Sequence, residues 1–142
     1  MIDCDKEYLL LAGENGEPEV FYTIEGEGAF IGQPSVFLRL FGCNLTCSGF
    51  ISEDSPYGCD SYISWSKKNK VTFNELFKLL DDNNYIERLK QGAIFKYTGG
   101  EPMVRQGQLL KFTEAFVDHY KFIPRIDFET NATIQPDEEW VN

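Results

Sequence analysis

Three cysteines lie close together in the first half of the chain. Cys43 and Cys47 are separated by three residues directly after a strand-like segment, and Cys59 lies in the loop that follows. Three thiolates in one loop suit a soft metal centre, and iron-sulfur clusters are held by such groups. Because a structural zinc site takes four ligands, three clustered thiols favour a centre with an open fourth position. A zinc loop and three unrelated buried thiols are the alternatives that the spacing leaves open.

A pair of glycines at a later strand end could approach a ligand closely. The segment Thr98-Gly-Gly-Glu-Pro102 follows a short apolar run. Paired glycines let main-chain groups contact an amino or carboxylate function. A simple turn that begins a helix, with Pro102 in its first turn, is the alternative interpretation.

The composition of the chain excludes several functional classes. The 142 residues carry 13 Lys and Arg against 23 Asp and Glu, a net charge of -10, which repels phosphate backbones and anionic membranes. Apolar runs fall far short of the roughly 20 residues of a membrane helix, and the acidic N-terminus differs from a secretory signal. We therefore expect one cytoplasmic domain over 1–142, with neither nucleic-acid nor membrane partners and with cysteines that are reduced thiols or metal ligands.

Hydrophobic periodicity predicts the elements that must position these groups. Val20–Ile24 and residues 35–41 are rich in β-branched and aromatic side chains and predict two strands joined by a glycine-rich loop. Residues 48–70 have little periodicity and predict an ordered loop. Thr72 and Glu75 have the spacing of a capping box at the start of a helix.

Helices and strands alternate in the second half of the chain. The predicted elements are a helix from 72 to about 82 that ends there or resumes over 85–89, a strand over 93–97, a helix over 108–120 and a strand over 125–128. Such alternation predicts right-handed βαβ units and a parallel sheet. Ligands bind beyond the carboxyl ends of such strands, where residues 98–102 and 129–131 fall.

The cysteine loop and the Gly-Gly-Glu strand end together resemble the radical S-adenosylmethionine (SAM) superfamily. Further segments in order resemble one of its families, 7-carboxy-7-deazaguanine synthase. The matching segments are Tyr22-Thr-Ile-Glu-Gly-Glu-Gly28, Gly32-Gln-Pro-Ser-Val-Phe-Leu-Arg39, Gly42-Cys-Asn-Leu-Thr-Cys47, Cys59-Asp-Ser61, Tyr97-Thr-Gly-Gly-Glu-Pro102 and Phe128-Glu-Thr-Asn-Ala-Thr133.

The resemblance implies an α/β fold, a partial (β/α) barrel of the radical SAM type with a parallel sheet that is incomplete at the C-terminus. It divides the single domain into a cluster loop (42–61), a SAM-binding strand end (98–102) and a further strand end (129–133). Because the family continues beyond the strand that contains Phe128, the chain looks C-terminally truncated, and we expect it to be open, marginally stable or oligomeric.

The resemblance also implies an activity, the conversion of 6-carboxy-5,6,7,8-tetrahydropterin to 7-carboxy-7-deazaguanine in queuosine and deazapurine biosynthesis. The implied cofactors are a 4Fe-4S cluster, SAM and Mg²⁺, with a 5'-deoxyadenosyl radical as the group that abstracts hydrogen. An electron donor such as flavodoxin and a homodimer are the implied partners. A glycyl-radical-enzyme activase of the same superfamily and a non-catalytic metal-binding remnant are the alternatives.

Site residues follow from the same resemblance, position by position, and none of them is assigned a catalytic acid or base role. The cluster ligands are Cys43, Cys47 and Cys59, and the magnesium ligand is Ser61, where the family has threonine. The cofactor-binding residues are Gly58, Cys59, Asp60, Gly99, Gly100, Glu101, Glu129 and Asn131. The substrate-binding residues are Ile24, Glu25, Gly26, Glu27, Arg39 and Thr98.

This chain departs from the family pattern at three places. The family usually has Gln where Glu25 stands, so a titratable group occupies a pterin contact. Phe50 stands where most members have the third cysteine, and Cys59 follows an inserted loop. Gly58 replaces an aromatic residue, which leaves Tyr57 as the predicted adenine-stacking side chain.

Overall fold

Six strands of the described chain form one sheet, with helices packed against it. The structure is a computed structural model that describes residues 1–49, 51–53 and 58–141, so that Phe50 and Tyr57 lie outside the described residues. The elements in chain order are β1 (Tyr8–Ala12), β2 (Val20–Ile24), β3 (Pro34–Leu40), α1 (Tyr62–Trp65), β4 (Lys68–Thr72), α2 (Phe73–Asp82), α3 (Tyr85–Lys90), β5 (Ile94–Gly99), α4 (Gln106–Tyr120) and β6 (Arg125–Phe128). Short 3-10 turns cover Gly28–Phe30, Pro102–Arg105 and Glu138–Trp140.

The sheet is mixed, and the prediction of a parallel sheet is therefore wrong for its N-terminal half. Strands β3, β5 and β6 are parallel neighbours, whereas β1 and β2 each pair with β3 in the antiparallel direction and β4 pairs antiparallel with β1. The reason lies in the connections. Residues 25–33 between β2 and β3 are too few for a crossover of a dozen or more residues, whereas β3 to β5 and β5 to β6 are connected through helices.

The predicted loop over 48–70 contains helix α1 and the start of strand β4. This strand has the sequence Lys-Asn-Lys-Val-Thr and lies at the edge of the sheet, with Tyr8 opposite Thr72. An edge strand with one solvated face needs few apolar residues, and for this reason the hydrophobic pattern does not reveal it. The predicted strand 93–97 and helix 108–120 are found, shifted at their ends, and the strand 125–128 is found with those bounds.

The core lies between the sheet and its helices. Phe95 and Tyr97 of β5 are fully buried, and Phe95 contacts Phe112 and Phe116 of α4. Because side chains alternate along a strand, Lys96 and Thr98 of β5 face the opposite side of the sheet, which also carries the chemistry described below. Within the described residues, none of the helices has the length and apolar character that would let it cross a membrane.

The predicted capping box at the start of α2 is confirmed. The Thr72 hydroxyl accepts a hydrogen bond from the Glu75 main-chain N–H at 3.2 Å, and the Glu75 carboxylate accepts one from the Thr72 N–H at 2.8 Å. These two hydrogen bonds satisfy two main-chain N–H groups that have no acceptor within the helix itself.

Replacement of Thr72 by Ala should lower the free energy of unfolding by about 1 kcal/mol because the cap acceptor is lost. Urea unfolding followed by circular dichroism measures this change. Thr72→Ser is the matched control, since it keeps the hydroxyl and should retain most of the stability. Equal losses in the two variants would show that the methyl group, and not the cap, is responsible.

Candidate functional site

The carboxyl ends of the three parallel strands meet at one edge of the sheet. Arg39 of β3 lies opposite Thr98 of β5, and Tyr97 lies opposite Phe128 of β6. The segments that follow these strands are therefore neighbours. The prediction that 98–102 and 129–131 share this edge is confirmed, and the first cysteine of the predicted cluster loop joins them there.

The cysteine loop rests directly on the glycine pair. A Cβ atom at Gly100 would lie 2.3 Å from the Gly42 carbonyl oxygen and 2.7 Å from the Cβ of Cys43, closer than real atoms approach. The Glu101 N–H donates a hydrogen bond of 2.9 Å to the same Gly42 oxygen. Only glycine at position 100 permits this contact, which fixes Cys43 against the end of β5.

Glu101 joins the glycine segment to the segment after β6. Its carboxylate is 1% exposed and accepts hydrogen bonds from the Met103 N–H at 3.0 Å, the Thr130 hydroxyl at 2.7 Å and the Asn131 N–H at 2.6 Å. Bonds of this kind to a charged acceptor are strong. The Glu101 side chain, predicted to bind cofactor, is thus occupied in holding two strand ends together.

Asn131 completes the contact between the third segment and the cysteine loop. Its amide donates to the Asn44 side-chain oxygen at 3.0 Å and lies 3.9 Å from the Cys43 sulfur. The Asn44 amide donates in turn to the Thr133 hydroxyl at 2.8 Å. Cys43, in the segment after β3, therefore lies against residues from the segments after β5 and β6.

A polar cleft of about 450 Å³ opens at this edge. It brings together predicted substrate residues, predicted cofactor residues and the predicted magnesium ligand. The predicted residues that line it are Glu27, Arg39, Asp60, Ser61, Thr98, Gly99, Gly100 and Glu129. The other predicted residues do not line it: Ile24 is exposed, Glu25 is buried, and Gly26, Cys43, Cys47, Gly58, Cys59, Glu101 and Asn131 lie outside its lining.

Two residues of the cleft lining were not predicted. Thr130 lies between Glu129 and Asn131 within the predicted strand end, so the sequence could have indicated it as a site residue. Ser64 belongs to α1, in the segment without periodicity, and nothing in the sequence distinguishes it from neighbouring serines.

Carboxylates outnumber cations among the residues that line the cleft. The Thr98 hydroxyl donates to the Glu129 carboxylate at 2.5 Å, and the Ser61 hydroxyl donates to Asp60 at 3.0 Å. Arg39 supplies the positive charge. Its Nε lies 2.9 Å from an oxygen of Glu19, in an ion pair that lacks good hydrogen-bond alignment. This pair holds the guanidinium near the carboxyl end of β3.

Glu25 is buried outside the lining of the cleft and is paired with a lysine. Its side chain is 2% exposed, and its Oε2 lies 2.6 Å from the Nζ of Lys96, which also contacts Asp127. Burial lowers the pKa of Lys96, but the contacts with Asp127 and Glu25 raise it by more, so that the net shift is upward and the ammonium is kept charged. The charge that Glu25 introduces in place of the usual Gln is therefore compensated by a cation. The role of Lys96 was not predicted, because the sequence of an apolar strand with one lysine does not indicate which carboxylate pairs with it.

The three cysteines of the loop offer suitable donors without forming an assembled centre. Cys43 and Cys59 are half-buried and Cys47 is exposed. Gly58, with φ of +80°, brings the chain back against the Cys47 carbonyl, 2.3 Å from where its Cβ would lie. Within residues 1–49, 51–53 and 58–141, no three His, Cys, Asp or Glu side chains are grouped as metal ligands. The donor chemistry fits a soft metal centre, but the grouping predicted for it is not preformed.

The known proteins that this chain is similar to include several 7-carboxy-7-deazaguanine synthases. It is 36% identical over 120 residues to the 7-carboxy-7-deazaguanine synthase of Rhodospirillum rubrum, which is 84% of this chain and 43% of the relative. It is 32% identical over 138 residues to that of Rickettsia prowazekii, which is 88% of this chain and 48% of the relative. Over most of its length the chain is therefore similar to members of the 7-carboxy-7-deazaguanine synthase family. No protein-family model matches it.

The fold agrees with this relationship. The crystal structure of QueE from Escherichia coli is similar with a TM-score of 0.64 and 22% sequence identity, over 91% of this chain and 55% of that chain. This likeness supports the α/β class, here with a mixed sheet. The chain spans less than half the length of the curated relatives named above.

Replacement of Gly100 by Ala should lower the free energy of unfolding by about 1–3 kcal/mol, because the added methyl group overlaps the Gly42 carbonyl and Cys43. Gly107→Ala is the matched control. Gly107 lies in the first turn of α4 with nothing within 4 Å of an added Cβ, so the change should be neutral or stabilising. Denaturant unfolding of both variants measures the difference, and equal effects would contradict the close-contact argument.

Proposed function

We propose that this chain takes part in a radical SAM reaction that converts 6-carboxy-5,6,7,8-tetrahydropterin to 7-carboxy-7-deazaguanine with loss of ammonia. The observation that carries the proposal is the cleft at the carboxyl ends of β3, β5 and β6. It joins the end of the cysteine loop, the glycine pair and the residues Glu27 and Arg39 around one space. The similarity to 7-carboxy-7-deazaguanine synthases over 84% and 88% of this chain supports the same reaction.

The cysteine loop would hold a 4Fe-4S cluster through Cys43, Cys47 and Cys59. When bound, the cluster and SAM supply reductive radical chemistry, which the protein directs by binding and by exclusion of water. The main chain at Gly99 and Gly100 borders the cleft and is available to bind the amino and carboxylate groups of a methionyl moiety. Glu129 and Asp60 would lie on the same side as this ligand.

Arg39 and Glu27 would recognise the two polar ends of the pterin. The planar guanidinium of Arg39 suits the substrate carboxylate, and the Glu19 ion pair holds it in place. The Glu27 carboxylate would accept hydrogen bonds from the N–H groups of the guanidine-like edge. Thr98, whose hydroxyl is directed to Glu129, would contact the ring between them.

Ser61 and Asp60 are the residues that would hold Mg²⁺. Their side-chain oxygens are joined by a 3.0 Å hydrogen bond at the cleft. Magnesium takes hard oxygen ligands and usually keeps several waters, so one hydroxyl and one carboxylate suffice from the protein. The reductive step requires a one-electron donor such as flavodoxin. A homodimer and a cytoplasmic location stay predictions.

Loss of any one predicted cluster ligand should abolish cluster assembly. After anaerobic reconstitution with iron and sulfide, Cys43→Ala, Cys47→Ala and Cys59→Ala should each lose the broad visible absorption of the cluster and most of the bound iron, because three thiolates are needed. Cys4→Ala is the matched control, since Cys4 is a half-buried cysteine that packs against the core and lies outside the loop. It should keep the cluster.

The unchanged chain, reconstituted in the same way, is used to test the reaction. With SAM, a reductant and 6-carboxy-5,6,7,8-tetrahydropterin, we expect 5'-deoxyadenosine and 7-carboxy-7-deazaguanine. SAM cleavage without this product would favour another radical SAM activity such as the activase. Binding of zinc in place of iron and sulfide would contradict the radical mechanism and favour a metal-binding remnant.

Replacement of Arg39 by Gln should raise the KM for the pterin roughly 10- to 100-fold, the loss of one charge-assisted hydrogen-bonded pair, and should change kcat much less. Steady-state kinetics at varied pterin concentration give both constants. Arg88→Gln is the matched control, because Arg88 lies over the ring of Tyr22 away from the cleft lining. An unchanged KM in the Arg39 variant would remove this residue from substrate recognition.

A further inference from the structure

Lys96 is a buried cation in a strand that is otherwise apolar up to Thr98. It is 3% exposed, and its side chain lies on the face of β5 opposite the aromatic core. It does not line the cleft. A lysine is almost never buried to this degree unless it is paired, so its partners indicate its role.

The ammonium of Lys96 connects three segments. It contacts Asp127, its register partner on β6, and it lies 2.6 Å from Oε2 of Glu25, the residue directly after β2. Asp127 is 28% exposed, whereas Glu25 is 2% exposed. Water can therefore reach the Asp127 carboxylate but not that of Glu25, which depends on the lysine for compensation of its charge.

Glu25 organises the loop that forms one side of the cleft. Its Oε1 accepts a hydrogen bond of 3.2 Å from the Glu27 N–H. Its own main chain closes the loop over 25–33, with the Glu25 N–H donating to the Gln33 carbonyl and the Gly32 N–H donating to the Glu25 carbonyl, both at 2.8 Å. Its Oε2 makes no hydrogen bond of good geometry within the described part of the chain. The contact with Lys96 is thus what anchors this carboxylate.

We propose that Lys96 is a positioning residue for pterin recognition, which acts through Glu25 to hold Glu27 at the cleft. The inference rests on the proposed function, because it assigns the loop over 25–33 to binding of the pterin. The order of contacts is Asp127 to Lys96, Lys96 to the Glu25 carboxylate, and Glu25 to the Glu27 main chain. Glu27 itself lines the cleft.

Removal of the ammonium has a definite physical consequence. Glu25 and Asp127 contact the same Nζ, so without it two carboxylates lie close together and one of them is buried without a partner. A buried unpaired charge is strongly unfavourable, and Glu25 would leave its place to reach water. The Glu27 N–H would then lose its acceptor, and the loop would no longer be fixed.

The double variant separates positioning from simple structural support. In Glu25→Gln/Lys96→Met the amide oxygen can still accept the Glu27 N–H, and no buried charge is left unpaired. The loop should regain its place although the lysine is absent. Lys111→Met serves as the matched control, since it breaks a half-buried pair with Glu7 at 3.0 Å that is remote from the lining of the cleft.

The test measures binding of 6-carboxypterin, a stable oxidised pterin, to the full chain by equilibrium dialysis, together with hydrogen exchange of residues 25–33. Lys96→Met should bind the pterin about tenfold or more weakly than the unchanged chain. Compared with the unchanged chain, its amide exchange should accelerate over 25–33 and change less over 36–40. The pterin affinity of the double variant should return to within about threefold of that of the unchanged chain. Lys111→Met should have the affinity of the unchanged chain.

Three outcomes would overturn the inference. An unchanged pterin affinity in Lys96→Met would show that the loop does not depend on the ion pair. Faster exchange throughout the sheet, with no recovery in the double variant, would show that the lysine acts only in general stability. Failure of the unchanged chain to bind the pterin would instead contradict the proposed function, and the inference would fall with it.

Discussion

The close contact of Gly100 with the Gly42 carbonyl group and the Cys43 Cβ is the constraint on which the rest of the site depends. Main chains that approach this closely leave no room for a side chain, so the geometry is available only because position 100 has none. The contact fixes the start of the cysteine loop relative to β5. Glu101, the next residue, then draws the segment after β6 into the same place through its hydrogen bonds to Thr130 and Asn131. The cleft is the space that remains between these anchored segments.

The local features of the fold could be predicted from the sequence, and its long-range pairings could not. The capping box at Thr72 and the strand Arg125–Phe128 depend on neighbouring residues, which periodicity and capping preferences describe. Strand β4 carries little hydrophobic signal because it lies at an edge, and its partner β1 is more than 50 residues away. The antiparallel direction of β2 and β3 follows from a short connection whose length was visible, but the alternation of later elements pointed to a uniform parallel sheet.

The site shows the same division at the level of single residues. The residues of the cleft lining lie in short motifs, so resemblance indicated most of them, including Arg39 and Glu129. Sequence motifs did not indicate what each side chain contacts. Glu101 was expected to face a cofactor, but its carboxylate accepts three hydrogen bonds from the protein itself. Contacts of this kind join segments about 30 residues apart, and one chain gives no signal for them.

The pairing of Glu25 with Lys96 shows why a departure from a family pattern has to be considered with its surroundings. A carboxylate where the family usually has an amide would be unfavourable in a site that is 2% exposed. A lysine in an apolar strand would be unfavourable for the same reason. Together they compensate each other's charge at 2.6 Å, and the more exposed Asp127 carboxylate is a second partner of the same ammonium. Without Lys96 the buried Glu25 carboxylate would lose this cation, so the effect of a carboxylate at position 25 depends on the residue at position 96. The loop that bears Glu27 is therefore held by an ion pair in this chain, where an amide would rely on neutral hydrogen bonds alone.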